Sequence, residues 1–440
     1  MLTRIELNGF KSFEGFSLNL RPLTAVVGPN ASGKSNLFDA IRFLSLLSQT
    51  DIRTAMLDLR GEPEELFRRT PNSISDTIDF AVEVLVPVMG VDAFGTTYET
   101  ASQRLRYELQ LGIVRDPGGQ PRSVAVRRES CTAIAKKDET AEFLRKADIS
   151  YGRRSTPFIE TFKEQDAIHI RQDGFQKRGR PLTLSLREAT RTALSVVNTA
   201  EFPHLYALKR YFASVRFLEI NPQAARLSND RFEERSLKAD ASNLASVLAN
   251  LQETTANKDR PDGNLSDIAS DLAALIPSVT RINIGRDSNF SFEVCFRDNL
   301  TFSSRVISDG TLRLLALLTV LNDPQRSGSL CFEEPENGVH QGRVPMLVDF
   351  LRRATSAGYY KVATFQVLLN THSPVVMKEL EDHEIVVADT VVEISPTKHR
   401  RFSRTRMRTG ISSSPELFDP ESQLTRGEVD RILQSSVDAA

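Results

Sequence analysis

The sequence carries almost no net charge. Lys and Arg total 56 against 57 Asp and Glu, a formal balance of −1 over 440 residues, so no global charge steers the chain toward nucleic acid or an anionic membrane. Any such binding must be local. Cysteine is scarce: Cys131, Cys295 and Cys331 are the only three, lie far apart and form no C-x-x-C pair. That excludes a disulfide framework and a zinc site and fits a reduced, intracellular chain. Long apolar runs are missing too, since no stretch reaches the ~18 residues a membrane-spanning helix needs. The opening Thr3-Arg4-Ile5-Glu6-Leu7 alternates like a strand rather than a signal peptide. A soluble, cytoplasmic protein without a membrane partner is expected. There are no internal repeats or low-complexity tracts, and no heptads sustained over the three or four repeats a coiled coil needs.

What is present begins with Gly28-Pro29-Asn30-Ala31-Ser32-Gly33-Lys34-Ser35, which fits G-x-x-x-x-G-K-[ST] at every fixed position. Before it, Leu23-Thr24-Ala25-Val26-Val27 reads as a buried strand; after it, Leu37, Ala40, Ile41, Leu44 and Leu47 recur at helical spacing. Glycines let backbone N–H groups curl around phosphate oxygens while the following helix aims its positive end at the same charge. Lys34 adds a cation for the β- and γ-phosphates, and Ser35 a hydroxyl for bound magnesium.

Three further motifs follow far downstream. Ser308-Asp309-Gly310-Thr311 enters a strongly apolar helix, where it is either an anion-facing helix start or an ordinary N-cap. Ser329-Leu330-Cys331-Phe332 is a short apolar strand ending in Glu333-Glu334-Pro335-Glu336-Asn337-Gly338. Paired carboxylates at a buried strand end are costly unless they meet a cation or do proton work, as in magnesium-nucleotide sites. Val367-Leu368-Leu369-Asn370 leads to Thr371-His372-Ser373-Pro374, which places a histidine at a strand end within reach of a terminal phosphate.

Together with Leu7-Asn8-Gly9-Phe10-Lys11-Ser12-Phe13, these segments resemble the head of the structural-maintenance-of-chromosomes, RecF and OLD-type ABC ATPases, and in particular the compact bacterial AAA family ATPases that lack a coiled coil. The resemblance implies an α/β ABC-ATPase head: a P-loop mixed sheet with flanking helices, an antiparallel β subdomain and an inserted α/β or helical subdomain. It implies ATP and Mg2+ as cofactors and a head-to-head homodimer. Carried across residue by residue, residues 28–33, Lys34 and Asn36 hold the nucleotide, with Lys11 and Ser12 in the nucleotide-facing turn. Ser35 and Glu333 serve magnesium, and Glu334 positions the hydrolytic water. Ser308, Asp309 and Gly310 form the signature loop reaching the partner's nucleotide, Asn337 and Gly338 lie at the dimer seam, and His372 senses the γ-phosphate. Glu333 stands where relatives carry Asp, and Gln110 is the candidate for the glutamine loop.

The implied activity is a magnesium-dependent ATPase that switches DNA maintenance or an anti-phage defence module with a separate effector or nuclease. The alternative is the ATPase subunit of a membrane transporter. The chain divides by pattern into an N-terminal lobe (1–114), an inserted, partly basic region (115–278), a C-terminal lobe (279–396) and a basic tail (397–440). Within 115–206 the many bases read as a solvated surface or as a patch facing nucleic acid. In the tail, Lys398, His399, Arg400, Arg401, Arg404, Arg406 and Arg408, with no acid among them, read equally as a phosphate-binding strip for DNA or as a flexible solvated hairpin.

Overall fold

The computed structural model describes residues 1–70, 73–152, 156–172, 181–356, 365–394, 401–410, 423–425, 427–429 and 431. The chain forms two compact units, one of residues 1–215, 357–366 and 382–440, the other of residues 216–356 and 367–381.

The first unit is built on an eight-stranded sheet. Its spatial order is Leu182–Ser185, Ala167–Ile170, Ile159–Phe162, Pro121–Ala133, Arg104–Arg115, Thr77–Leu85, Leu2–Asn8 and Phe16–Asn19, and neighbouring strands run antiparallel throughout. The period-two alternation at Ile78, Phe80, Val82 and Val84 and at Leu105, Tyr107, Leu109 and Leu111 buries all eight side chains, because successive residues of a strand face opposite sides of the sheet. Phe43 of the helix Lys34–Leu47 meets that face, its ring centroid 6.2 Å from Phe10 and 5.9 Å from Phe80. A second layer carries the phosphate loop. Leu23–Val27, buried throughout, runs parallel to Ile385–Ile394, which pairs antiparallel with Arg401–Gly410. Strands buried on both faces read as continuous apolar runs, as this one does.

The turn at Asp116–Gly119 joins Arg104–Arg115 to Pro121–Ala133, and the strands Ile159–Phe162, Ala167–Ile170 and Leu182–Ser185 extend the same sheet. The helix Pro203–Ala213 follows. It packs on the phosphate-loop helix through a hydrogen bond from Ser45 Oγ to the Phe212 carbonyl (2.7 Å) and on the sheet through Tyr107, 5.9 Å from Phe212 between ring centroids.

In the second unit, Arg216–Leu218 lies parallel to Gly328–Glu333, which neighbours the strand Phe365–Thr371, of which residues 367–371 belong to this unit. The helix Asp309–Leu321 is apolar on nearly all sides and is buried accordingly, with Leu312, Leu314, Leu315, Leu317 and Leu318 at most 1% exposed. Helices Leu244–Thr255, Leu265–Leu275 and Val344–Thr355 surround it, and Val279–Arg286, Phe290–Phe296 and Thr301–Ser303 form a small antiparallel sheet.

One buried group makes the first unit sensitive to pH. Glu129 is fully enclosed and accepts hydrogen bonds from Tyr107 Oη (3.0 Å), Ala193 N (2.6 Å) and Leu194 N (2.8 Å). Burial nevertheless pushes its carboxyl from 4.5 up to about 7. A raised folded-state value favours the protonated form, so the stabilisation is complete below pH 4.5 and is lost as pH rises through 7. Urea denaturation is expected to give a native state weaker at pH 7.5 than at pH 5, by on the order of 3 kcal/mol. Glu129→Gln should abolish that component of the difference.

Candidate functional site

The phosphate loop sits where a buried strand gives way to a helix. The helix begins at Lys34 with Gly33 as its N-cap, φ 94°, and Gly33 has no side chain to cap it; a helix start turns backbone N–H groups and a positive dipole end toward an anion. Asn30 and Ala31 form the exposed tip, while Ser32 turns inward and is buried. Lys34 curls back over the loop, its Nζ donating to the carbonyls of Gly28 (2.7 Å) and Pro29 (2.8 Å). Both fixed glycines are dictated by neighbours late in the chain. A Cβ on Gly28 would stand 2.3 Å from the Ala388 carbonyl oxygen, and one on Gly33 2.1 Å from Thr405 Oγ1.

The opening turn lies against this loop. Lys11, at φ 45°, donates from Nζ to Asp39 Oδ2 (2.7 Å) and the Arg60 carbonyl (3.1 Å). Its ammonium charge is therefore balanced by a buried carboxylate. Ser12 Oγ accepts from Asn36 Nδ2 at 2.8 Å and from the Thr405 hydroxyl at 2.7 Å. Gln110 takes no part in this cluster. It donates to Asp79 Oδ1 (2.7 Å) and lines a cavity of about 470 Å³ on the antiparallel sheet with Arg4, Glu6, Glu108 and Arg128, and no phosphate-loop residue lines that cavity.

The second unit gathers the downstream motifs. Glu333 ends its strand and accepts from Asn370 Nδ2 at 3.0 Å. Glu334 adopts φ 50°, a left-handed conformation that costs a non-glycine residue about 1–3 kcal/mol. Its N–H donates to the Asn370 carbonyl (2.9 Å), and its carboxylate is bracketed by Asn337 Nδ2 (2.7 Å) and His372 Nδ1 (3.0 Å). Glu336 faces inward: one oxygen accepts from the Thr371 hydroxyl, the other is buried with no hydrogen-bond partner among the described residues, and burial followed by the nearby Glu334 charge raises its carboxyl above the usual range.

Ser308 is the N-cap of its helix, its Oγ accepting from Thr311 N at 3.2 Å, and Asp309 pairs with Arg226 Nη2 at 2.6 Å. Gly310 touches Gly338 backbone to backbone. A Cβ on Gly310 would lie 3.2 Å from Gly338 Cα, and one on Gly338 2.8 Å from Gly310 Cα.

Asp39, Thr405, Glu336, Asn370 and Thr371 join these clusters without a role assigned from the sequence. Glu336, Asn370 and Thr371 lie within the motifs read there, whereas Asp39 and Thr405 carried no signal of their own. The basic tail also reads differently in three dimensions. Lys398, His399 and Arg400 lie outside the described residues, as does the side chain of Arg401. Arg406 (2.7 Å) and Arg408 (2.6 Å) both bind Asp389 across the hairpin, so the acid missing from the local sequence is supplied by the paired strand. These two are ion-paired on a sheet rather than part of a flexible hairpin.

The family model described as "AAA domain, putative AbiEii toxin, Type IV TA system" matches residues 23–378, more than half of the chain. The chain belongs to this AAA_21 family. Its fold is that of an ABC-type ATPase head: the crystal structure of an SmcHead bound to the C-winged helix domain of ScpA covers 93% of this chain and 98% of its own, with a TM-score of 0.50 at 13% identity. Among curated relatives, the chromosome partition protein Smc of Halothermothrix orenii is 56% identical over 45 residues, which are 10% of this chain and 4% of the relative. The OLD nuclease of Thermus scotoductus is 26% identical over 175 residues, 38% of this chain and 32% of the nuclease. The chain thus spans under a third of the length of either curated relative. Among the described residues no helix is long and apolar enough to cross a membrane.

The donor set suits the nucleotide and metal that this AAA_21 head implies. Each unit by itself carries a hard oxygen donor of the kind Mg2+ takes, the Ser35 hydroxyl in the first and the Glu333 carboxylate in the second, and Mg2+ keeps several waters and needs few protein ligands. The glycine contact makes a stability prediction: Gly338→Ala forces a left-handed alanine against Gly310 and should cost about 1–3 kcal/mol in thermal denaturation.

Proposed function

We propose that this AAA_21 chain binds ATP with Mg2+ at residues 28–35 and hydrolyses it, with Glu334 orienting the attacking water. The observation that carries this reading is the posture of Glu334, held left-handed with its carboxylate between Asn337 and His372. Strain of that kind persists only where surrounding bonds over-determine it, and it clusters at functional sites.

In the proposed mechanism Lys34 exchanges its hold on the Gly28 and Pro29 carbonyls for phosphate oxygens, which leaves the loop's backbone N–H groups and the helix start to complete the cradle. The metal ion, when bound, supplies charge neutralisation at the β- and γ-phosphates. Ser35 and Glu333 would hold it. Glu334 takes the proton of the water it orients, and His372 tracks the γ-phosphate from the neighbouring position. Ser308 and Gly310 reach the nucleotide of a second copy, whose Asn337 and Gly338 lie at the same seam, so that ATP closes a homodimer and hydrolysis opens it. Only differential affinity for the closed state lets ATP do this work. The toxin and antitoxin terms of the family description favour a defence module acting through a separate effector over DNA maintenance.

The test is turnover together with light scattering in solution. Glu334→Gln should lower turnover at least 100-fold while retaining ATP, and should run as a dimer when ATP and Mg2+ are present. Lys34→Ala should lose nucleotide binding. A Glu334→Gln protein that stays monomeric at saturating ATP removes the dimer model, and one that turns over at the wild-type rate removes Glu334 from the chemistry.

A further inference from the structure

The proposed nucleotide reading leaves open what shapes the loop, and one residue near the far end of the chain touches it at several points. Thr405, 4% exposed, lies on the strand Arg401–Gly410, opposite Thr390. Its backbone N–H donates to the Ser12 carbonyl at 3.1 Å. Its one hydroxyl proton is shared between two acceptors, Ser12 Oγ at 2.7 Å and the carbonyl oxygen of Ser32 at 3.2 Å. Its side chain fills the space behind Gly33, where an added Cβ would meet Oγ1 at 2.1 Å, Cγ2 at 2.9 Å and Cβ at 3.0 Å. Ser12 is in turn anchored by Asn36 Nδ2, 2.8 Å away on the first turn of the helix.

The consequence follows from the geometry of the peptide bond. In a planar trans peptide the C=O and the next N–H point in opposite directions. A hydroxyl holding the Ser32 carbonyl on the strand side therefore turns the Gly33 N–H away from the strand, to the open side of the loop. Gly33 is the position most able to rotate out of that orientation, since it lacks a Cβ and already sits at φ 94°. We propose that Thr405 is a positioning residue for nucleotide binding, fixing the Ser32–Gly33 peptide so that the Gly33 N–H faces phosphate. The inference rests on the reading of residues 28–35 as a nucleotide site.

The experiment compares Thr405→Val, which keeps the shape and loses the hydroxyl, with Thr405→Ser, which keeps the hydroxyl and loses the methyl. Titration calorimetry of the full chain with Mg2+ and ADP avoids any contribution from turnover. Thr405→Val should bind about fivefold to tenfold more weakly, the scale of one hydrogen bond. Thr405→Ser should bind within about twofold of wild type. Should Thr405→Val fail to fold, Thr405→Ala carries the same expectation. Wild-type affinity in the valine variant overturns the proposal, as does an equal loss in both variants, which would assign the effect to packing. A wild-type chain that fails to bind ADP instead overturns the nucleotide reading itself, and the two failures are told apart within one set of titrations.

Discussion

Ala25, Val26 and Val27 lie in parallel register with Ile385, Val386 and Val387, and the phosphate loop depends on that pairing more than on anything within the loop. A loop of eight residues has too few internal bonds to hold a cradle of outward-facing N–H groups. The strand beneath fixes where it starts, and the neighbouring strand sets how closely its backbone approaches, with no room for a side chain between Gly28 and the Ala388 carbonyl. The helix that follows is fixed independently, by Phe43 against Phe10 and Phe80 and by Ser45 against Phe212. The loop is thus held from both ends by groups that have no contact with phosphate.

The acidic strand end follows a different logic. A strand buried through Phe332 delivers Glu333 and Glu334 to its edge, and the neighbouring strand meets each with a complementary group: Asn370 for Glu333, the Asn370 carbonyl for the Glu334 N–H, and His372 for the Glu334 carboxylate. Glu336 is the exception, since one of its oxygens has no partner among the described residues and its carboxyl is held toward the neutral form by burial. Three acids within four residues therefore occupy three electrostatic environments, which is how neighbouring carboxylates come to differ in role.

Much of this was legible in sequence because fixed spacings carry it. Gly28, Gly33, Lys34 and Ser35 announce a loop between strand and helix, Ser308 through Thr311 announce a helix start, and the alternation at 78–84 and 105–111 gives the antiparallel strands. The failures share a physical cause. The many bases of 115–206 suggest a region apart, yet sheet pairing depends on backbone register and tolerates charge on an exposed face, and Pro121–Ala133 pairs with Arg104–Arg115. Arg406 and Arg408 looked unopposed because Asp389 lies 17 and 19 residues away in sequence although directly across the hairpin. Thr405 gives no signal at all, since a threonine in a strand is ordinary until its neighbours are known.

The distance between Ser12 and Thr405, 393 positions along the chain, has a consequence for synthesis. At translation rates of roughly 5–20 residues per second, the loop leaves the ribosome roughly 20–80 seconds before the strand that forms its back wall. The sheet through Ser185 can pair in that interval, but the seat for phosphate cannot close. Contacts of such long sequence separation are also the slowest to form in folding. A loop synthesised long before its back wall is accordingly among the last parts of the molecule to mature.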